Sequence, residues 1–371
     1  LIMTLVGIAG CTALLLVAFG LRDSISDIID NQWPAISHYD YIVGMTSDVS
    51  EEEADQINAE LNQVGATNIH RITRENVLLE SPTQKAGSLT RTTIMTSNSL
   101  QDLTGLATLR NRLSGQAIEL GEDSVVITEK LAKRLGVGVG DTIQVYAQDR
   151  IGNASGEPST LTITGVAENY VGSYLYVGPS AWHSLGIQDD ATDGWYATLP
   201  EDQTTRDAFG EKLINQAGVA TVDDVNEAIH TYKESLAVVN RVVAILIVAA
   251  ALLAFIVLYN LTNINIEERI REIASLKVLG FTRHEVDAYV FREIALLAVF
   301  GALFGLVLGT YLEGFVVQTA EIDLVMFGRA IHAPSYWFAF GLTLVFSLLV
   351  YVAMRPKLKN IDMVESLKSV E

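Results

Sequence analysis

Four runs of about twenty apolar residues divide this sequence, each long enough to cross the hydrocarbon core of a bilayer as one helix. They extend from Leu1 to Phe19, from about Leu236 to Tyr259, from about Ile294 to Leu312 and from about Tyr336 to Met354. A single run of this kind also suits a buried core helix. Four of them, each bounded by polar segments, point to a membrane protein. The charge lies elsewhere. The chain of 371 residues has a formal net charge of −19 although 49% of its residues are hydrophobic, and those two properties conflict in one soluble domain. Residues 21–237 hold 32 acidic against 14 basic side chains, and the remainder is nearly neutral. The sequence therefore divides into an acidic soluble module and a set of spans.

Lysine and arginine in the short connections set the orientation. Residues 261–289 carry Arg269, Arg271, Lys277 and Arg283, and the tail carries Arg355, Lys357, Lys359 and Lys368, whereas residues 313–335 carry only Arg329. The first two segments are expected in the cytoplasm. The acidic module and the connection 313–335 are expected outside. This gives a first span at 1–20, an extracytoplasmic α+β domain at 21–235, a second span at 236–260, a cytoplasmic helix and loop at 261–289, a third span at 290–312, a short external loop at 313–335, a fourth span at 336–354 and a cytoplasmic tail at 355–371. The start has neither an initiator Met nor the basic lead-in and cleavage site of a signal peptide. The sequence is thus expected to be a fragment lacking a cytoplasmic lead-in.

Cys11 is the only cysteine and lies in the first span, so the external module has no disulfide framework and must be held by its own core. His38, His70, His183, His230, His284 and His332 show no paired spacing, and scattered structural or surface roles are expected for them. No His-Glu-x-x-His, Gly-x-Ser-x-Gly or Cys/His pair is present, and no catalytic or metal site is expected. The glycine run at 136–140 lacks the Lys-Ser/Thr ending of a phosphate-binding loop and reads as a turn.

Periodicity places a helix over 21–31 that continues the first span, a strand at 39–43, and a helix over 50–64 with Ser50 and Glu53 as a capping box. A strand pair is expected at 66–80, followed by strands at 91–96, 124–128 and 142–146, a polar loop at 147–159, and strands at 161–167, 174–177 and 195–199. Helices are expected through Leu135, over 179–185, over 204–216, and over 223–237 into the second span. Strands and helices mix without strict alternation, which reads as α+β. Both ends of the module are helices continuous with spans, an arrangement suited to carrying motion from the bilayer to the outside.

The connection 261–289 is the segment with the sharpest pattern. Ile266, Ile270, Ile273 and Leu276 share a helical face. Glu267 and Arg271 are spaced for an ion pair, Gly280 suits a helix C-cap, Phe281 follows at a tight turn, and Thr282 with Glu285 forms a capping box for the next helix. These residues are compatible with an ordinary solvated connection and equally with a docking helix whose knob is Phe281. In the third span, Gly301, Gly305 and Gly309 form a small-residue ladder for close helix packing, within the chain or against a partner permease half. Asn240, Arg241, Arg292, Glu293 and Glu313 fall near span ends, and no ion or proton path is expected from them.

The segment ERIREIASLKVLGFTRHEV closely resembles the signature of FtsX-like permeases, the group that includes MacB and the Lol lipoprotein transporters. The matching positions are Glu268, Arg269, Glu272, Ile273, Ala274, Leu276, Lys277, Leu279 and Gly280. The order of one span, a large external domain and three spans matches too, and VVITEKLAKRLGVGVGDTIQV resembles the family's external domain. The resemblance implies a membrane α-helical fold of four transmembrane helices with an inserted α+β extracytoplasmic domain of the MacB periplasmic core type. It implies the membrane subunit of a type VII ABC transporter in a bacterial cell membrane. No cofactor is expected in this chain, and ATP and Mg would belong to a cytoplasmic ABC ATPase partner. Coupling to that ATPase would fall to Glu267, Glu268, Arg269, Arg271, Glu272, Leu276, Lys277, Gly280 and Phe281. Further expected partners are a second permease half or subunit, membrane lipid and an extracellular protein, with no nucleic acid. The start, together with GVAENYVGSYLYV, resembles the C-terminal half of a longer two-repeat permease, with a free-standing four-span subunit as the alternative. Mechanotransmission that exports or extracts a lipid, lipoprotein or peptide is the function implied. An FtsX-type activator of an extracellular cell-wall enzyme is the alternative, and a membrane-anchored sensor without an ATPase is a third reading.

Overall fold

The structure, a computed structural model, describes residues 2–33, 35–85, 87–149, 151–186, 192–268, 270, 272, 275–276, 279, 281–321 and 325–359. The chain forms two compact units. One comprises residues 1–26, 235–321 and 327–371, and the other residues 27–234 and 322–326. Two of the divisions fall within long helices, α1 (Ile2–Gln32) and α7 (Val225–Glu268), and the other two bound residues 322–326.

The helical unit contains the first part of α1, most of α7, α8 (Arg283–Ala320) and α9 (Ala333–Lys359). Among the described residues, four stretches are long and apolar enough to cross a membrane: Ile2–Ile28, Arg241–Glu268, Arg292–Ala320 and Ala333–Met354. Half of the apolar window of α1 is buried, against 17% for α7, so α1 is the hub. Ile8 packs with Leu258 of α7, Leu297 of α8 and Val350 of α9. The Thr12 hydroxyl donates to the Ile8 carbonyl at 3.0 Å and lies 3.1 Å from the Thr343 hydroxyl of α9. Both polar side chains are thereby satisfied inside an apolar bundle, where lone hydroxyls are costly. Farther along α1, Ser24 donates to Glu313 at 3.0 Å, and Asp23 accepts from the Ser335 hydroxyl at 2.6 Å and the His332 N–H at 3.0 Å.

The second unit is built on one mixed sheet. Its strands are β1 (Tyr41–Met45), β2 (Thr67–Glu80), β3 (Thr90–Thr96), β4 (Val125–Thr128), β5 (Thr142–Gln148), β6 (Ala154–Thr162), β7 (Gly165–Ala167), β8 (Tyr174–Val177), β9 (Thr192–Thr198) and β10 (Val219–Asp224). The order is β10-β1-β9-β2-β3-β8-β4-β7, with β5 on β2 and β6 on β5. The pairs β3–β8 and β4–β7 are parallel and the others antiparallel. Among the described residues, α2 (Glu51–Gln63), α3 (Leu100–Leu106), α4 (Glu129–Leu135), α5 (Pro179–Leu185) and α6 (Gln203–Ile214) accompany it, with the end of α1 and the start of α7.

β2 divides the sheet into two lobes. Its first half pairs with β9 and its last four residues with β5. On one side, Ile57 and Leu61 of α2 and Leu213 of α6 bury against Tyr41, Val43 and Trp195. On the other, Leu131 and Leu135 of α4 and Trp182 of α5 bury against Val77, Ile94, Ile127 and Val145. Local chemistry explains the ends of these helices. Ser50 and Glu53 form the expected capping box of α2, with the Ser50 N–H donating to Glu53 at 2.9 Å. Gly136 closes α4 at φ +68°, a left-handed conformation that favours glycine.

Four expectations are corrected. Residues 66–80 are not a strand pair but one fourteen-residue strand, β2, and no Gly or Pro interrupts residues 69–79. The polar segment 147–159 is not a loop throughout. β5 and β6 form a hairpin around residues 149–153, with β6 an exposed edge strand. The strand expected at 161–167 is broken after Thr162, where the chain leaves β5 and β7 joins β4. The helix expected from residue 223 begins at Val225, after a strand, β10, that pairs with β1.

Arg206 of α6 holds the base of this unit. The side chain is 1% exposed. Its Nε and Nη2 each donate at 2.7 Å to the Asp224 carboxylate at the end of β10. Nη1 donates to Asp40 at 3.3 Å and to the Leu199 carbonyl at 3.2 Å, and Nη2 to the Asp40 carbonyl at 3.0 Å. The guanidinium also lies 5.5 Å from the Tyr41 ring centroid.

Candidate functional site

The segment between the second and third apolar helices is the candidate coupling site. Ile266, near the end of α7, is buried in the cluster of Ile8, Leu258, Leu297, Val350 and Met354, and Leu276 packs against the same cluster. Between them, Ile270 is half-buried, while Glu268, Glu272 and Ser275 are exposed. The apolar stripe thus faces the bundle and the charged stripe faces away, as an amphipathic helix requires. The Leu279 N–H donates to the Ser275 carbonyl at 3.0 Å, and the Phe281 N–H donates to the Leu276 carbonyl at 3.2 Å. The second is the six-to-one bond that closes a helix C-terminus. The Glu285 carboxylate then accepts from the Thr282 N–H and hydroxyl, each at 2.8 Å, at the start of α8. Glu267 accepts from Asn263 at 3.2 Å.

At this closed end two large apolar side chains face outward, Leu279 at 75% and Phe281 at 50% exposure. Glu268 and Glu272, earlier in the same segment, are exposed as well. Of the residues the sequence assigns to coupling, Glu267, Glu268, Glu272, Leu276 and Phe281 are described; Arg269, Arg271, Lys277 and Gly280 lie outside the described residues. Ile273, on the expected apolar face, lies outside them too. Leu276 is turned inward and so supports the patch from beneath. Leu279 was absent from the expected coupling set. Its exposure depends on where the helix ends, and the spacing of apolar residues does not give that.

The glycine ladder lies against α1. A Cβ on Gly301 would lie 2.8 Å from Ile8 Cγ2, one on Gly305 2.5 Å from the Ala9 carbonyl oxygen and 2.6 Å from Thr12 Cβ, and one on Gly309 3.0 Å from Ala13 Cα. Ala9 and Ala13 are the facing small residues on α1. The two backbones approach where neither helix carries bulk, the small-residue packing known between membrane helices.

In the α+β unit the fold brings together two histidines far apart in sequence. His38 lies 2.6 Å from the Thr108 hydroxyl, and His70 Nδ1 lies 3.1 Å from Asp102. Burial, and then the charge of nearby His70, hold His38 below its ordinary 6.5. Among the described residues no group of three or more His, Cys, Asp or Glu is placed to hold a metal ion.

Residues 1–229 match the family model of the MacB-like periplasmic core domain, and residues 244–363 match that of the FtsX-like permease C-terminal region. Together with the four apolar helices, these matches define the membrane subunit of an ABC transporter. The chain belongs to the FtsX/MacB-like permease family. Members of this family work with ABC ATPases and are generally non-catalytic themselves. Comparison with curated proteins gives no match. Among solved structures, the periplasmic region of MacB from Actinobacillus actinomycetemcomitans is similar over 53% of this chain and 94% of its own, at 12% identity and a TM-score of 0.30. A domain of a Porphyromonas gingivalis protein described as a permease is similar over 48% of this chain and 82% of its own, at 19% identity and a TM-score of 0.28. At these TM-scores neither likeness adds to the family assignment.

Proposed function

We propose that the patch at residues 267–281 docks a cytoplasmic ABC ATPase, and that the chain crosses the bacterial cell membrane four times with residues 27–234 outside. ATP and Mg act in the partner, and this chain converts the partner's movement into movement of the external module. The work done outside is export or extraction of a lipid, lipoprotein or peptide. The observation that carries the reading is the exposure of Leu279 and Phe281, in a segment that also exposes Glu268 and Glu272, while Leu276 packs inward. Exposed aromatic and aliphatic anchors in a charged segment suit an interface centre and its rim. The excess of Lys and Arg in 261–289 and the tail over the loop 313–335 supports the orientation.

The test is co-purification from native membranes. The unmutated chain is expected to bring down an ABC ATPase. Glu268→Lys, Gly280→Trp and the double variant Leu279→Asp/Phe281→Asp should each reduce its recovery by about tenfold or more, the scale of losing one interface anchor. If no ATPase accompanies the unmutated chain, or if the variants recover it in full, the docking role is wrong.

A further inference from the structure

A cleft of about 690 Å³ opens on one face of the second unit, lined by Arg74, Asn76, Arg91, Thr93, Gln148 and Thr192, with the 149–152 turn at its rim. Its arginines differ from others nearby. Arg71, Arg110, Arg112 and Arg206 each engage a carboxylate within 2.7 Å. Arg74 and Arg91 have no carboxylate partner among the described residues. Arg91 donates to the Gly152 carbonyl at 3.2 Å, and the charge of Arg74 is felt at the buried Tyr196 hydroxyl, where it opposes the upward push of burial. Acidic side chains outnumber basic ones by 32 to 14 over residues 21–237. Two arginines in one cleft with no ion-pair partner among the described residues are therefore unexpected from composition.

The strand register explains why both line the same space. Arg74 and Asn76 of β2 lie on one face, and Thr93 and Arg91 of β3 follow on that face, with Asn76 opposite Thr93 and Leu78 opposite Arg91. Other donors join them. The Thr93 hydroxyl donates to Asn76 Oδ1 at 3.0 Å, which leaves the Asn76 amide nitrogen to donate. Gln148 Nε2 is buried and has no hydrogen-bond partner among the described residues. A buried donor left unpaired is costly, and a ligand acceptor would remove that cost. Two carboxylates also line the cleft. Glu75 is buried at 7% exposure and is engaged in an interaction of its own. Asp149 is committed to its own turn, accepting from the N–H groups of Asn153 at 2.8 Å and Ile151 at 3.0 Å.

We infer that this cleft is a binding site for an anionic ligand carrying phosphate or carboxylate groups, with Arg74 and Arg91 as its charged anchors and Asn76 and Gln148 as neutral donors. Guanidinium groups suit both chemistries because their paired N–H groups match two oxygens at once. The volume suits a small molecule or a headgroup, and the polar lining suits the charged part of one. The inference rests on the external placement proposed above only for where the ligand comes from. Binding at the cleft does not require ATPase docking, so the two can fail separately.

The test is calorimetric titration of the full chain in neutral-lipid nanodiscs, with sodium pyrophosphate and citrate as probes and glucose as the uncharged control. At least one anion should bind saturably, and Arg74→Gln/Arg91→Gln should weaken it by about tenfold or more. The Arg74→Lys/Arg91→Lys variant keeps both charges, and should retain part of the affinity with an unchanged melting curve. Lys212→Gln, an exposed cation on α6, should leave binding unchanged. Repeating the titration in nanodiscs containing anionic lipid separates the sources: competition with the probe assigns the site to a lipid headgroup, and its absence assigns it to a soluble anion. Absence of saturable binding by either probe up to about 10 mM, the weak end of specific recognition, overturns the inference. So does equal weakening by Lys212→Gln.

Discussion

Replacing Arg206 with Met tests how the base of the α+β unit is held. The substitution keeps much of the side chain's bulk and removes its charge. Asp224 loses two donors at 2.7 Å, Asp40 loses one at 3.3 Å, and the Leu199 and Asp40 carbonyls lose theirs. Breaking a buried pair from one side costs about 3–5 kcal/mol, because the other charge is left behind. Here the side chains of Asp40 and Asp224 retain 20% and 12% exposure, so water relieves part of the penalty and the lower end applies. For a unit of roughly 200 residues, about 3 kcal/mol lowers the melting temperature by about 6–12 °C. The assay is thermal unfolding of the full chain in nanodiscs followed by tryptophan emission, since Trp195 is buried in the lobe that α6 covers. Adding Asp224→Asn to Arg206→Met removes one stranded charge and should restore about 1 kcal/mol, a coupling expected of direct partners. A shift below about 2 °C for Arg206→Met, less than 1 kcal/mol, would refute the reasoning. So would further destabilisation on adding Asp224→Asn.

Three other outcomes are expected. Gly305→Ala should destabilise the helical unit by about 1–3 kcal/mol in a detergent melt, because the new methyl meets the Ala9 carbonyl at 2.5 Å. Gly341→Ala, with nothing within 4 Å of the added carbon, should be neutral or gain up to about 1 kcal/mol of helix propensity, and equal losses for both would show that the α1–α8 approach is unimportant. Burial pushes the Glu129 carboxyl up, but Arg112 and then Lys133 outweigh it and bring it down to about 2 from 4.5. A depressed carboxyl stabilises the fold above its unfolded value, so a contribution on the order of 2 kcal/mol should be lost as pH falls from about 5 to about 2. Glu129→Gln should flatten the stability profile over that window, and an unchanged slope would count against the pairing.

The sequence makes some of this legible for clear physical reasons. Apolar runs of spanning length need no tertiary context, so the helices containing Leu15, Leu258, Ala302 and Val350 are evident from composition. The α2 cap is equally local, since Ser50 and Glu53 are three residues apart. What escapes is whatever depends on a partner strand. β6 (ASGEPSTLT) has the composition of a loop, and is a strand because it lies at an edge beside β5, where Pro158 and Gly156 are tolerated. β10 merges with the helical pattern that follows it, and only pairing with β1 separates the two. The coupling patch is half legible. The alternation of Ile266, Ile270 and Leu276 gives the inward face, but the exposure of Leu279 depends on the turn at Phe281. The Arg74–Arg91 cleft is invisible in the sequence, because the two residues are 17 positions apart and meet only through the β2–β3 register.

The register of β1 against β10 fixes how the α+β unit would respond to a pull. Its first strand starts at Tyr41 and its last ends at Asp224, and these two residues face each other across an antiparallel pair. Tension applied through the two chain ends does not shear the strands past one another, loading every ladder bond at once. It opens them like a zip, one bond after the next, starting at the Tyr41–Asp224 end. Arg206 spans that first tooth, bound to Asp40 on one side and Asp224 on the other. The unit would therefore begin to open where its two ends meet, and Arg206 holds that point together with the Val225 N–H, which donates to the Asp40 carbonyl at 2.9 Å.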